Sequence, residues 1–432
     1  MLIRFSVENF LSFRERQTLD MMAVQSSEER RDENMFLISG KDALLRTIGL
    51  YGANASGKSN LFSALSFFVD FVRMSFAERE AMAQIETIPF LYDGTSRGKP
   101  SSFEIEMILG GFWYKYGFSV DDTIVHGEWL YFKDIEDSTF RPKFIRKVVE
   151  GEDSIDVAPS FVGADGLIVE KTRGNALFLS TCAGLAVEEA LGIVREMSSY
   201  VFWSASSDRP NFTADMLTHG KSVADILRLV QKADPSVDDI DIERQEDDTG
   251  RTRANGSPIK RIRFRVTMLH EEDAGGKISL PLYGLGSLGT RKAFELAGPI
   301  FSVLSQGNVI FIDELDSRLH PILTREIIKL FNNPETNPKN AQLIFNTHDT
   351  NLLNCKVYSP KRNKKEQLLR RDQIYFVERT GEFATRIYSL VEFQDEVVDS
   401  IPDDVSIETE YLEGRYGAIP FIGAADFGRE AK

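Results

Sequence analysis

The chain has 432 residues, 42% hydrophobic and 27% charged, with a formal net charge of −15. That balance fits an ordinary globular protein of two or three domains. It excludes a surface coated in basic residues but leaves local basic grooves open. No stretch approaches the roughly 18 uninterrupted apolar residues of a membrane span. The opening Met1-Leu2-Ile3-Arg4-Phe5 lacks the basic start and apolar core of a leader. Cys182 and Cys355 form no CxxC pair, so neither a zinc site nor a disulfide framework is expected, and a cytoplasmic setting fits best.

In chain order, Ile3 to Phe13 reads as a strand, a turn at Glu8-Asn9 and a second short strand. Ile48 to Tyr51 is a short apolar strand. Leu61 to Val72 is apolar nearly all round, as a buried helix is. Phe103 to Met107 and Phe112 to Val120, separated by Gly110-Gly111, predict an antiparallel hairpin. Asp121 to Gly256 mixes short strands with helices near Val187 to Met197 and Ser222 to Lys232, and reads as an inserted lid. It has no sustained heptads, so no coiled-coil arm is expected. Apolar strands at Val309 to Ile312, Leu343 to Asn346 and Ile374 to Val377, with a helix over Pro321 to Phe331, predict a parallel sheet. Two basic stretches stand out: Arg251, Arg253, Lys260, Arg261, Arg263 and Arg265, then Lys361, Arg362, Lys364, Lys365, Arg370 and Arg371. Such runs are more often solvated faces than nucleic-acid grooves.

Four motifs carry chemistry. Gly52-Ala53-Asn54-Ala55-Ser56-Gly57-Lys58-Ser59 is a complete G-x-x-x-x-G-K-S between a strand and a helix, and Asn60 follows it. Backbone N–H groups of such a loop close around phosphate oxygens, helped by the helix N-terminus. Lys58 is the candidate for the β- and γ-phosphates, and the Ser59 hydroxyl for Mg²⁺. Val309-Ile310-Phe311-Ile312-Asp313-Glu314 puts two carboxylates at the C-terminal end of a buried strand, where open α/β sheets bind ligands. Asp313 is the second metal candidate, and Glu314 the residue that orients and deprotonates an attacking water. Upstream lies Gly284-Leu285-Gly286-Ser287-Leu288-Gly289-Thr290, a serine and glycine at a helix start. Downstream, Phe345-Asn346-Thr347-His348-Asp349 ends an apolar strand on a histidine.

The order of these pieces resembles the ABC/SMC-like ATPases, and more narrowly the bacterial "AAA family ATPase" proteins of RloA or AbiL type, relatives of the ATPase half of OLD-family proteins. Met1 to Phe13, Asp313 to Pro321, Gln342 to Asp349, Arg370 to Phe376 and Tyr411 to Pro420 all look like family blocks. The resemblance implies an α/β, ABC-type core: a mixed sheet plus an antiparallel N-terminal subdomain. An N-terminal lobe would span 1–120, the inserted α+β lid 121–260, the C-terminal lobe 261–395 and a tail 396–432. It implies ATP and Mg²⁺ as cofactors, with Ser287 and Gly289 as the signature that touches the γ-phosphate of a partner's ATP. Asp316 would be the residue aligning the subunits, and His348 the γ-phosphate switch. The product would be a homodimer closed by an ATP sandwich, and dimers of dimers fit equally.

The same resemblance implies a phage-defence or abortive-infection ATPase. It would act with a separate effector, a nuclease or toxin, because only 84 residues follow His348 and they lack the acidic clusters of a nuclease domain. The alternative is a RecF-like DNA-repair or chromosome ATPase that clamps nucleic acid. A hexameric AAA+ remodeller fits poorly, since the Asp-Glu strand lies about 250 residues after the phosphate loop. The signature departs from the family by reading GSLGT, and no Q-loop glutamine is assigned.

Overall fold

The computed structural model describes residues 1–24, 32–77, 83–204, 210–252, 258–271, 276–359, 363–393 and 406–419. The chain divides into two units, Met1–Tyr200 with Thr350–Lys432, and Val201–Asp349. Parallel and antiparallel strands both occur, and the fold is mixed α/β. Among the described residues, no helix is long and apolar enough to cross a membrane. Arg253, Lys361, Arg362 and most of the expected 396–432 tail lie outside the described residues.

In the first unit, Leu2–Glu8 pairs antiparallel with Gln17–Asp20 on one side and Ser101–Leu109 on the other. The sheet continues through Phe112–Val120, Val125–Asp134, Arg141–Val149 and Glu152–Val157. The Gly110-Gly111 turn works because both residues take positive φ, 59° and 85°, which a two-residue hairpin of matching twist demands. The sheet therefore extends well into the stretch that reads as a lid. Val125, Leu130 and Phe144 keep the inward apolar register there.

The helix Lys58–Met74 buries Leu61, Phe62, Leu65, Phe68, Val69, Phe71 and Val72. Its rings meet those of the sheet: Phe68 stacks on Phe118 at 5.1 Å and meets Phe5 edge-on at 5.8 Å. This aromatic layer fixes the helix behind the phosphate loop. A second anchor is polar. Glu128, fully buried, accepts from Phe178 N–H at 2.6 Å, Leu179 N–H at 2.9 Å and the Tyr116 hydroxyl at 2.9 Å. Buried Arg146 faces it and pairs with Asp153 at 2.5 Å. Burial raises the Glu128 carboxyl above its usual range, against the pull of Arg146 and these three donors.

A smaller strand set in this unit carries the phosphate loop. Thr47–Tyr51 is wholly buried and runs parallel to Ile374–Arg379, which pairs antiparallel with Thr385–Ser389. The second unit holds three parallel strands, Val201–Trp203, Val309–Ile312 and Gln342–Asn346. It also holds a helix–ribbon module. The helices Pro210–Thr218 and Val223–Ala233 precede a long antiparallel ribbon, Asp239–Thr252 with Pro258–Glu271, edged by Lys277–Pro281. Ala214, Val230, Val237, Val266, Met268, Leu282 and Phe294 form its core.

The register of that ribbon explains its basic run. Glu243 lies opposite Arg265, Asp247 opposite Arg261 and Asp248 opposite Lys260, and Arg263 pairs with Asp247 at 3.1 Å. The Arg263–Asp247 ion pair offsets one charge of the run across the strands. Arg370, in the second run, is buried and paired with Asp372 at 2.7 Å.

Phe68→Ala removes the ring shared by both faces of the aromatic layer, and a loss of about 3–5 kcal/mol is expected. Denaturant unfolding of the full chain checks this.

Candidate functional site

Each half of the expected site lies within one unit. In the first, the loop from Gly52 to Gly57 joins the buried strand Thr47–Tyr51 to the helix Lys58–Met74. Gly57 has φ 112°, and a Cβ there would sit 2.1 Å from Thr385 Oγ1. A Cβ on Gly52 would sit 2.1 Å from the Val377 carbonyl oxygen. Both glycines are required by close approach of neighbouring strands. The crest, Asn54, Ala55 and Ser59, is exposed, while Ser56 and Lys58 are buried.

Lys58 folds back over the loop, its ammonium donating to the Gly52 carbonyl at 2.6 Å and the Ala53 carbonyl at 2.9 Å. Among the described residues the buried Ser56 Oγ has no hydrogen-bond partner. A loop with donors gathered on its own carbonyls and an unsatisfied hydroxyl fits a phosphate-bearing ligand. No cluster of three or more His, Cys, Asp or Glu that could hold a metal occurs among the described residues. Mg²⁺ takes one or two protein oxygens and completes its shell from phosphate and water. Ser59 and Asp313 are of the right chemistry.

The loop is braced by residues the motif does not name. Thr385 Oγ1 donates to the Ser56 carbonyl at 2.7 Å and lies 2.7 Å from Ser12 Oγ, which accepts from Asn60 Nδ2 at 2.7 Å. On its other flank, Ala53 N–H donates to the Ala418 carbonyl at 3.0 Å, as does the Tyr411 hydroxyl at 3.2 Å. Tyr411 and Tyr416 stack on Phe376 at 5.2 and 5.5 Å. The block Tyr411 to Ala418 is therefore part of the loop's wall. Pro420, which closes it in the sequence, lies outside the described residues.

In the second unit the strand Val309–Ile312 ends on Asp313 and Glu314. Glu314 is exposed, with φ 54°, a left-handed turn unusual for a residue with a side chain. Asn346 makes that turn tenable. Buried at the end of the neighbouring strand, it accepts from Glu314 N–H at 2.5 Å and donates to the Asp313 carboxylate. Its own carbonyl receives Leu315 N–H at 3.1 Å. Asp316 reaches back to accept from His348 N–H at 3.2 and 3.3 Å. Asp313, Glu314, Asp316 and His348 are thus brought together, and His348 is exposed.

The helix Leu288–Gln306 starts at Ser287, whose Oγ caps it by accepting from Thr290 N–H at 3.1 Å. Gly289 leaves room for the loop after the acid pair: a Cβ there would lie 3.3 Å from the Arg318 carbonyl. One turn on, buried Lys292 faces Glu295, Arg318, Glu314 and Asp313. Burial holds its pKa below the ordinary lysine value, although three of these neighbours are acidic. Sequence reading missed Lys292 and Thr290, which only the packing singles out. It also gave Asn346 no role, although a polar side chain closing the apolar run Leu343 to Phe345 is a visible signal.

A family model described as "AAA domain, putative AbiEii toxin, Type IV TA system" matches residues 48–354. No curated protein matches the chain. Among solved structures, the chain is similar to the crystal structure of SmcHead bound to the C-winged helix domain of ScpA. The identity is 12% at TM-score 0.40, covering 90% of this chain and 97% of that one. It is also similar to the recombination mediator protein RecF–ATPrS of the RecFOR pathway. There the identity is 11% at TM-score 0.31, covering 90% and 98%.

Asn346→Leu keeps the shape but strips Glu314 N–H of its acceptor and Asp313 of its donor. A stability loss of about 1–3 kcal/mol is expected from the unsatisfied groups, read by urea unfolding.

Proposed function

The chain belongs to the AAA family described as "AAA domain, putative AbiEii toxin, Type IV TA system", and from that membership we propose that it binds ATP with Mg²⁺ and hydrolyses it between two copies of itself. The observation that carries this reading is the pair of preformed half-sites. One is a complete phosphate loop with its lysine and an unpartnered Ser56 hydroxyl. The other is an acid pair pinned by Asn346 beside His348.

The loop N–H groups and Lys58 hold the β- and γ-phosphates. Ser59 and Asp313 are the residues that would hold Mg²⁺, which would supply charge neutralisation at the phosphates. Glu314 orients the attacking water and accepts its proton. It sits exposed in a left-handed turn at the end of the strand. His348 reads the γ-phosphate, and its backbone is tied to Asp316.

The second copy enters through the signature. Ser287 and Leu288 are exposed, and so are their apolar neighbours Tyr283 (40%) and Leu285 (67%). Exposed apolar side chains around a polar donor fit a surface that closes on another subunit. Each copy supplies Lys58 to one nucleotide and Ser287 to the other, in a two-fold pair.

Within this reading the ATP-driven dimer works as the sensor or regulator of a defence system with a separate toxin or nuclease, in line with the family's description. The alternative reading is a RecF-like DNA-repair or chromosome ATPase that clamps nucleic acid, and the family match is equally compatible with it. Co-purification with the neighbouring gene product, with and without ATP, decides between them. A toxin or nuclease retained only in one nucleotide state supports the defence reading, and retention of DNA alone sinks it.

Lys58→Ala is expected to abolish ATP binding by calorimetry with the fold intact. Glu314→Gln should keep binding yet lower turnover by roughly 10²- to 10⁴-fold, and so accumulate the ATP-bound dimer. Unchanged turnover in Glu314→Gln would move the base elsewhere.

Mixing tests the sharing of sites. In a heterodimer of Lys58→Ala with Ser287→Arg, one composite site carries both lesions and the other carries neither. Activity should therefore return on mixing two inactive proteins. Heterodimers that form without any recovered turnover would contradict sites that are shared and fire singly.

A further inference from the structure

The signature serine is wired to an acid outside every motif. Ser287 Oγ lies 2.7 Å from Thr290 Oγ1, and Thr290 Oγ1 lies 3.2 Å from Asp234 Oδ2. Asp234 follows the helix Val223–Ala233, at the base of the helix–ribbon module. Its other oxygen, Oδ1, accepts from Ser236 Oγ at 2.6 Å and Ser236 N–H at 3.2 Å. Burial opposes the charge on Asp234, but the donors Ser236 and Thr290 and the nearby His270 outweigh it and hold the carboxyl below its usual range. Asp234 is an ionised acceptor at neutral pH and has no proton to give.

That fixes the direction of every proton in the chain. Thr290 has one hydroxyl proton and spends it on Asp234. The contact between Thr290 and Ser287 then needs the proton of Ser287. The Ser287 oxygen meanwhile accepts Thr290 N–H at 3.1 Å. The serine thus donates inward and turns only a lone pair outward. A phosphate oxygen is an acceptor too and gains nothing from a lone pair.

We propose that Asp234 is a positioning residue that holds the signature hydroxyl in an inward-donating state unfit for the γ-phosphate, so that docking of a partner's ATP must reverse or break the Ser287–Thr290–Asp234 relay. The inference rests on the trans-signature reading above and deepens it. It makes the helix–ribbon module, through Asp234, a brake on dimer closure. Whatever moves Asp234 away from Thr290 releases the serine.

The relay can be reversed by one atom. In Asp234→Asn, the two Ser236 donors keep the amide oxygen in place, which sets the amide N–H₂ against Thr290 Oγ1. Thr290 then turns its proton to Ser287, and Ser287 is free to donate outward. Thr290→Val reaches the same end by deletion, since the cap through the backbone N–H of residue 290 survives.

The measurement is ATP-driven self-association by sedimentation velocity, in the slowly hydrolysing Glu314→Gln background. Thermal melts verify folding. Both Asp234→Asn and Thr290→Val should lower the ATP concentration at half-dimerisation by about tenfold or more, the effect of one hydrogen bond gained to a charged phosphate oxygen. Adding Ser287→Ala should cancel the gain. A purely structural Asp234 would leave association unchanged or weaken it in both variants, and that result overturns the proposal. If the Glu314→Gln parent fails to associate with ATP, or associates equally well with Ser287→Arg, the trans-signature reading falls and takes the brake with it. A parent that associates through Ser287 but ignores both relay variants overturns the brake alone.

Discussion

A buried strand that ends in a tight polar loop hands its last backbone groups to new partners at once. The architecture of both half-sites follows from this constraint. Beyond Tyr51, Ala53 N–H goes to the Ala418 carbonyl, and the Ser56 carbonyl takes the Thr385 hydroxyl. Beyond Ile312, Asp313 N–H goes to the Trp203 carbonyl, and Glu314 and Leu315 both go to Asn346. In each case the donors and acceptors come from a neighbouring strand or a distant segment. A turn held from outside can keep a left-handed Glu314 or a close-packed Gly57, geometries that a free loop would shed.

The parts legible in the sequence are those coded locally. The phosphate loop, the helix after it, the Gly110-Gly111 hairpin and the apolar strands ending at Ile312 and Asn346 are each fixed by residues within about a dozen positions, and the folded chain has them. What stayed hidden depends on long-range pairing. Nothing near Ser12 says that it will meet Thr385, and nothing near Asp234 says that it will meet Thr290, 56 residues away. The Tyr411 block could be noticed but not placed. Its position against Phe376 is set by stacking between segments that share no local pattern. The long antiparallel run through Arg141–Val149 and Glu152–Val157 was obscured by polar outward residues, which a half-exposed sheet permits.

Charge was the least legible property. A run of six basic residues reads as an electrostatic feature in one dimension. Across the ribbon, Arg263 of that run pairs with Asp247 on the facing strand. The register is held by the apolar face: Val266 and Met268 are buried in the module's core, and a one-residue slip would turn them outward. Arg370 makes the same point in a core. It is buried against Asp372 and the Val24 carbonyl, so it serves packing and contributes nothing to a surface field.

If Ser287 takes the trans-signature role proposed above, a structural and a functional demand would converge on one side chain. The start of the helix Leu288–Gln306 favours Ser, Thr, Asn, Asp or Gly, and all of these but Gly offer a side-chain acceptor for Thr290 N–H. A site for phosphate excludes Asp by charge, and Gly offers no donor. Of the rest, a hydroxyl alone can accept from the backbone and keep a single proton that turns either way. A proton with two destinations can be directed by its neighbours. Thr290 and Asp234 supply that direction from within the same unit, so the feature that caps the helix is also the one that makes the signature adjustable.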